Sequence, residues 1–370
     1  MSLNFRFAIA SDLHIAQPHT IPDNPYRFHR VEISLDNFNS VMAQLRQLDI
    51  DFLLIPGDLT QDGEPDNHAW LAQALTQLPF PVYVIPGNHD VKERDGTDCS
   101  ISMNAFPRYY EKFGYPDPNQ LYYSCAPLPG LRLIGLNSIF FNQDGTQTYA
   151  GRMDTEQLEW LQQVLAEIRD EQVFVMIHHN VLEHLVDQSA NRLGQRYMLE
   201  NAAELRRILY QAGVQLVFTG HLHVQDVARQ VDPVTGHQLF DITTGSLVSY
   251  PHPFRILHYR EMDDGVAQLR FESHRIVTAP GWDDLQAMSR AFMGDRSTRF
   301  IRRLLTEPPL SLTESAAEPL LPHLRNFWPD IANGDAQFEF SQLPPSVQTY
   351  FEAFSATELW DNHGVLELKS

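Results

Sequence analysis

Five times along this chain a short apolar run breaks off into a segment of His, Asp or Asn. Residues 5–10 lead into Asp12-Leu13-His14, and residues 51–55 into Gly57-Asp58. Residues 82–85 lead into Gly87-Asn88-His89-Asp90, residues 173–177 into His178-His179-Asn180, and residues 214–219 into Gly220-His221-Leu222-His223. Apolar runs of this length, stopped by Gly, Pro or polar residues, predict strands buried on both faces. In open α/β sheets, sites form outside the carboxyl ends of the strands. A fold that accommodates all five runs must therefore bring five polar strand tips to one edge.

The connecting segments predict an α/β protein. Residues 28–48 carry Val31, Leu35, Phe38, Val41, Leu45 and Leu48 at helical spacing. Residues 65–78 form a second helix with Pro65 in its first turn. Residues 104–114 predict a short helix, and 121–125 and 131–136 two strands. Asp154 is placed to cap a helix over 155–169, and Gly213 to close one over 200–212. From residue 224 the pattern turns to strands at 224–231, 238–243, 254–260 and 267–274, with a hairpin turn at Asp263-Asp264-Gly265. Parallel βαβ units that lead into antiparallel strands predict a four-layer α/β/β/α sandwich, two mixed sheets flanked by helices. After Pro280-Gly281 the character changes to a helix over 282–305 followed by Pro-rich breaks. The expected division is a catalytic domain over 1–278 and a mainly helical accessory extension over 279–370, which carries no ligand cluster.

The polar segments offer imidazole, carboxylate and carboxamide groups, a donor mixture that suits divalent Mn, Fe, Zn or Co. No thiolate accompanies them, so a Cys-type structural zinc site is excluded. The pairs Asp12/His14 and His221/His223 would point to one side if their backbone were extended. The glycines at 57, 87 and 220 predict close backbone approach.

The ordered set Asp12-x-His14, Gly57-Asp58, Gly87-Asn88-His89-Asp90, His178 and Gly220-His221-x-His223 resembles the calcineurin-like metallophosphoesterase superfamily. The resemblance covers residues 5–275. Within the superfamily it is most similar to the class III cyclic nucleotide phosphodiesterase and glycerophosphodiesterase group, through Ser11-Asp12-Leu13-His14, Gly57-Asp58-Leu59-Thr60 and the paired His178-His179. It implies two divalent metal ions (Mn, Fe or Zn) per chain. Asp12, His14 and His223 would hold the first ion, Asn88, His178 and His221 the second, and Asp58 would bridge them. It also implies a metal-bridging hydroxide as nucleophile, with His89 assisting the leaving oxygen and Asp90 orienting His89. His179 and Arg152 are candidate substrate contacts, and loops 15–30, 95–120, 140–153 and 180–199 are expected to select the substrate.

The implied function is hydrolysis of a phosphodiester of the cyclic nucleotide or glycerophosphodiester class. The alternatives are a phosphomonoesterase or nucleotide pyrophosphatase on the same scaffold, a DNA-repair nuclease, or a non-catalytic interaction module. A net charge of −20 argues against nucleic acid as partner. A small phosphorylated substrate remains compatible, because bound cations reverse the local field. The N-terminal residues lack the basic and apolar regions of a signal peptide, and no run approaches the roughly 20 apolar residues of a membrane span. Cys99 and Cys125 are too few for a disulfide framework. A cytoplasmic protein is expected, with no membrane partner and with a homodimer contact as one role open to the extension.

Overall fold

The computed structural model describes residues 2–21, 24, 27–262 and 265–368. Asp263 and Asp264 of the expected hairpin turn, and four positions of the 15–30 loop, lie outside the described residues. The strands are β1 (Asn4–Ile9), β2 (Phe52–Ile55), β3 (Val82–Val84), β4 (Tyr123–Leu128), β5 (Leu131–Gly135) and β6 (Gln172–Met176). They continue with β7 (Leu216–Thr219), β8 (Asp226–Val231), β9 (Gln238–Thr243), β10 (Pro253–Glu261), β11 (Ala267–Arg275) and β12 (His363–Leu368). The α-helices before the extension are α1 (Ser34–Leu45), α2 (Pro65–Leu75), α3 (Phe106–Tyr109), α4 (Thr155–Glu167), α5 (Arg192–Gln195) and α6 (Ala202–Gln211). The extension adds α7 (Leu285–Thr306), α8 (Glu314–Ala317), α9 (Phe327–Asn333) and α10 (Pro345–Glu352).

The strands form two six-stranded sheets, ordered β12-β11-β10-β1-β2-β3 and β4-β5-β6-β7-β9-β8. Both are mixed. In the first, β1, β2 and β3 run parallel and β1 pairs antiparallel with β10. In the second, β5, β6, β7 and β9 run parallel, with β4 and β8 antiparallel at the edges. This is the α/β arrangement that the strand pattern predicts.

The two-residue period of the strands sorts side chains into separate cores. On β6, Phe174 and Met176 join the core between the sheets, while Val173 and Val175 join the core beneath α4 and α6. An aromatic cluster fills the inter-sheet space. Phe7 on the first sheet lies 5.0 Å from Phe52, 5.4 Å from Phe174 and 5.6 Å from Phe218, the last two on the second sheet. The outer core takes Leu158, Leu161 and Leu165 from α4 and Leu205, Ile208 and Leu209 from α6.

Several boundaries differ from expectation. The first helix starts at Ser34 rather than near Phe28, preceded by a single 3-10 turn over Val31–Ile33. The 104–114 helix resolves into α3 between two 3-10 turns: Pro107 lacks the amide that would carry the first turn into α3, and Tyr110, at φ −118°, ends it. The extension ends in β12, which the sequence reading had not separated from the helical tail. β12 pairs antiparallel with β11 at the edge of the first sheet. Among the described residues, no helix is long and apolar enough to cross a membrane. Both cysteines are free thiols.

Phe7→Ala should remove about 3–5 kcal/mol of stability, the usual cost of truncating a buried Phe. Urea unfolding with an unchanged slope is the check. A loss below about 1 kcal/mol would mean that the sheet interface repacks around the gap.

Candidate metal centre

The five polar segments meet where the carboxyl ends of the two sheets converge. Asp12 and His14 follow β1, Asp58 follows β2, Asn88 and His89 follow β3, His178 follows β6, and His221 and His223 follow β7. Asp58 is 1% exposed and sits between contributions from both sheets. Its Oδ2 lies 3.7 Å from His14 Nε2, and its Oδ1 lies 3.4 Å from His178 Nε2. His14 Nε2 is 3.2 Å from His223 Nε2, which is 3.1 Å from Asp12 Oδ1. On the other side, His178 Nε2 is 3.2 Å from Asn88 Oδ1, and the His178 and His221 ring centroids are 4.8 Å apart.

Two groups of ligating atoms share Asp58, each with all members within 4.8 Å of one another: Asp12, His14, Asp58 and His223, and then Asp58, His178 and His221; a third, His14, His29 and His223, overlaps the first. Asp58 Oδ2 is buried without a hydrogen-bond partner. A carboxylate oxygen so enclosed is costly unless a cation sits beside it. The donor set and this orphaned oxygen fit a pair of divalent ions.

The pairs Asp12/His14 and His221/His223 do not converge through an extended backbone, as the spacing had suggested. All four residues have positive φ: 50° and 43° in the first pair, 66° and 60° in the second. Asp58 does too, at 50°. Non-glycine residues in the left-handed region carry strain and persist only where the surroundings hold them. Here backbone bonds do so. The His221 amide donates to Asp12 Oδ1 at 3.1 Å, the His14 amide to the Asp58 carbonyl at 2.9 Å, and the Gly220 amide to the His178 carbonyl at 3.1 Å. Gly57, at φ +94°, lies against the His178 ring, where a Cβ would come within 2.8 Å of Cγ. A Cβ on Gly87 would come within 2.9 Å of Asp58 Cα.

Electrostatics follow from burial and crowding. Burial opposes the charge on Asp58, but His178 and His89 outweigh it and hold its pKa well below the usual carboxylate range. Burial lowers the His178 pKa, yet Asp58, Asp12 and the Pro56 carbonyl reverse this and raise it to about 9. His14 and His221 are held well below the ordinary imidazole value, chiefly by burial and then by neighbouring imidazoles. They are therefore in the neutral form that can ligate a metal.

Asp90 does not touch the His89 ring. Its carboxylate accepts from the amides of Leu59 at 3.1 Å, Thr60 at 2.8 Å and Gly87 at 2.8 Å. Three amide donors from the loops after β2 and β3 already occupy the carboxylate oxygens. Asp90 thus fixes the loop that carries Asp58, and burial and the Asp58 charge push its pKa to about 7. His89 Nδ1 instead lies 2.6 Å from the Gln61 carbonyl, and the His89 amide donates to Asp58 Oδ1 at 2.8 Å.

A cavity of about 500 Å³ opens beside the second group, lined by Asn88, His179 and His221 with Ile139, Phe140, Tyr149 and Arg196. Its walls come from the 140–153 and 180–199 loops. The 95–120 segment contributes nothing to them. His179 borders the cavity with Nδ1 2.8 Å from Ser138 Oγ. Arg152 does not: its guanidinium lies over the Phe140 ring and 3.9 Å from Glu200. The sequence reading also passed over His29. Its ring stacks on His14 with centroids 4.2 Å apart, and its Nε2 is 2.7 Å from Gln61 Oε1. His29 stands off the apolar positions of the 28–48 pattern, and nothing in that pattern signals this placement.

After reconstitution, the expected stoichiometry is two divalent ions per chain by elemental analysis. Asp58→Ala removes a donor from both groups, so its occupancy should fall well below wild type and turnover should vanish. One ion or none in the wild-type protein overturns the dinuclear assignment.

A sequence profile described as calcineurin-like phosphoesterase matches residues 5–225. The chain is 25% identical over 201 residues to a 3',5'-cyclic-nucleotide phosphodiesterase of Nostoc sp., a match covering 53% of this chain and 64% of that relative. It is 26% identical over 178 residues to a protein of Arcobacter nitrofigilis named "Probable glycerophosphodiester phosphodiesterase GpdQ", covering 47% of this chain and 56% of that relative. The chain thus aligns with less than two thirds of the length of either relative. The crystal structure of a dimetal phosphatase from Danio rerio superposes with a TM-score of 0.54 at 17% identity, over 73% of this chain and 96% of that one, a likeness of fold. The profile spans more than half the sequence and takes in every metal-ligand candidate, so the chain belongs to the calcineurin-like phosphoesterase family.

Proposed function

We propose that the chain is a two-metal phosphoesterase that hydrolyses small phosphodiesters of the cyclic nucleotide or glycerophosphodiester class. The observation that carries this reading is the Asp58 carboxylate, shared by two His-containing groups, the second of which gives His221 to the wall of a cavity large enough for a small organic substituent. Asp12, His14 and His223 would hold one ion, Asn88, His178 and His221 the other, and Asp58 both. When bound, such a pair polarises the phosphoryl oxygens and lowers the pKa of the attacking water.

The chain's own groups do the rest. The Gln61 carbonyl fixes His89 Nδ1 as a donor, so Nε2 can give a proton to the leaving oxygen only from the imidazolium form, which burial disfavours and the Asp58 carboxylate favours. Arg196 lines the cavity beside His221 and His179 and is placed to take a non-bridging phosphate oxygen, the part first given to Arg152. Ile139, Phe140 and Tyr149 offer apolar surface for the second alcohol of a diester. A monoester dianion has no second alcohol to set against that wall and would want more than the single arginine in the cavity lining. The relatives named as cyclic nucleotide and glycerophosphodiester phosphodiesterases support the same class.

With manganese, bis(p-nitrophenyl) phosphate should be cleaved faster than p-nitrophenyl phosphate. A strong preference for the monoester would replace this reading with a phosphomonoesterase or pyrophosphatase. His89→Ala should keep both ions while turnover falls on the order of 10²–10⁴, the range for a positioned acid–base group. The loss should be larger for an alkyl ester, whose alkoxide needs a proton, than for a nitrophenyl ester. Equal losses on both would reject the acid role.

A further inference from the structure

The extension has a hydrophobic core of its own, built from α7 through α10 with Met293, Leu304, Phe327 and Trp328 among its buried members. Among the described residues, that core takes three buried side chains from before residue 279: Leu193, Leu222 and Val224. All three lie within a few residues of groups at the metal centre. Leu222 lies between His221 and His223, and Val224 follows His223. Leu193 lies in α5, three residues before the cavity arginine, Arg196. Tyr197, whose ring is 5.3 Å from that of His221, packs against the same core.

The backbone is tied in the same place. The Gln225 amide donates to the Ala332 carbonyl of α9 at 3.2 Å. Gly334, at φ +78°, lies so close to the Gln225 carbonyl that a Cβ would come within 2.6 Å of its oxygen. From 222 to 225, then, side chain, side chain and amide anchor in the extension, while His223 alone turns back to the metal centre. Leu222 and Val224 are each 1% exposed. The flanking ligands His221 and His223 hold strained positive φ, which needs an outside constraint.

We infer that the C-terminal extension is a structural part of the metal centre, and that Leu222 is the positioning residue through which it holds His221 and His223. This rests on the assignment of both histidines as ligands. Because His221 serves one ion and His223 the other, loosening the turn weakens both sites together. The extension thereby acts on the metals without contributing a ligand.

The test uses the full chain. Manganese and zinc affinities are measured by competition with a chromogenic chelator, well below the unfolding temperature, for wild type, Leu222→Ala, Leu222→Met, Gly334→Ala and Leu205→Ala. Leu205 is equally buried but lies beneath the second sheet, away from the centre. Leu222→Ala should weaken both ions by about tenfold or more, the scale seen when groups that orient ligands are removed. Leu222→Met, which restores volume, should recover most of that loss. Gly334→Ala should weaken both ions from the extension side, and it decides the matter if Leu222→Ala fails to fold. Leu205→Ala should lose stability and keep its metals. Wild-type affinities in both Leu222→Ala and Gly334→Ala, or an equal loss in Leu205→Ala, overturn the inference while leaving the ligand assignment intact. A wild-type protein that binds neither ion overturns both.

Discussion

Asp58 is a carboxylate with almost no water around it, and the rest of the molecule is arranged to make that tolerable. It follows a central strand of the first sheet, yet its partner His178 comes from the second. The two sheets must therefore stack with their carboxyl ends aligned, or the charge would be buried alone. The aromatic cluster of Phe5, Phe7, Phe52, Phe174 and Phe218 holds that alignment from behind. Non-directional apolar packing sets the distance between the sheets, and directional polar contacts set their register. Loss of either leaves a charged group without compensation.

A second layer keeps the ligand loops in place by the same logic. Asp90 gathers the amides of Leu59, Thr60 and Gly87, and so ties the loop after β2 to the loop after β3. His68 braces that layer, with Nε2 3.1 Å from the Asp90 carbonyl and Nδ1 2.8 Å from the Tyr110 hydroxyl. Asp241, fully buried on β9, accepts from the amides of Val181 and Leu182 just beyond His178. These carboxylates serve backbone amides, which must find partners once water is excluded.

Much of this was legible in the chain because it is local. Apolar runs stopped by Gly or Pro marked the strands, and the residue after each stop marked the centre. Seven ligand candidates could be found because each sits at a strand end, where the pattern changes abruptly. What stayed hidden depends on distant contacts. His29 stands off the apolar positions of the 28–48 period, so its stacking on His14 has no local signature. Leu222 reads as a spacer between two histidines, although its side chain belongs to a core formed about a hundred residues later. Arg152 and Arg196 are equivalent as letters, and only the tertiary position of Glu200 and the cavity separates them. Positive φ at Asp12, His14, His221 and His223 is likewise invisible, because nothing but the assembled site forces it.

The order of strands in the first sheet has a consequence for how the molecule is made. β1 holds residues 4–9, its antiparallel neighbour β10 holds 253–261, and the edge strand β12 holds 363–368. A ribosome delivers the chain from the N-terminus, so one flank of β1 stays unpaired until residues 253–261 have been synthesised. The second sheet, drawn wholly from residues 123–243, is complete well before that moment. During translation the nascent chain therefore carries an open, apolar strand edge, the kind that invites pairing with other chains. The first sheet closes only once β12, residues 363–368, has been made.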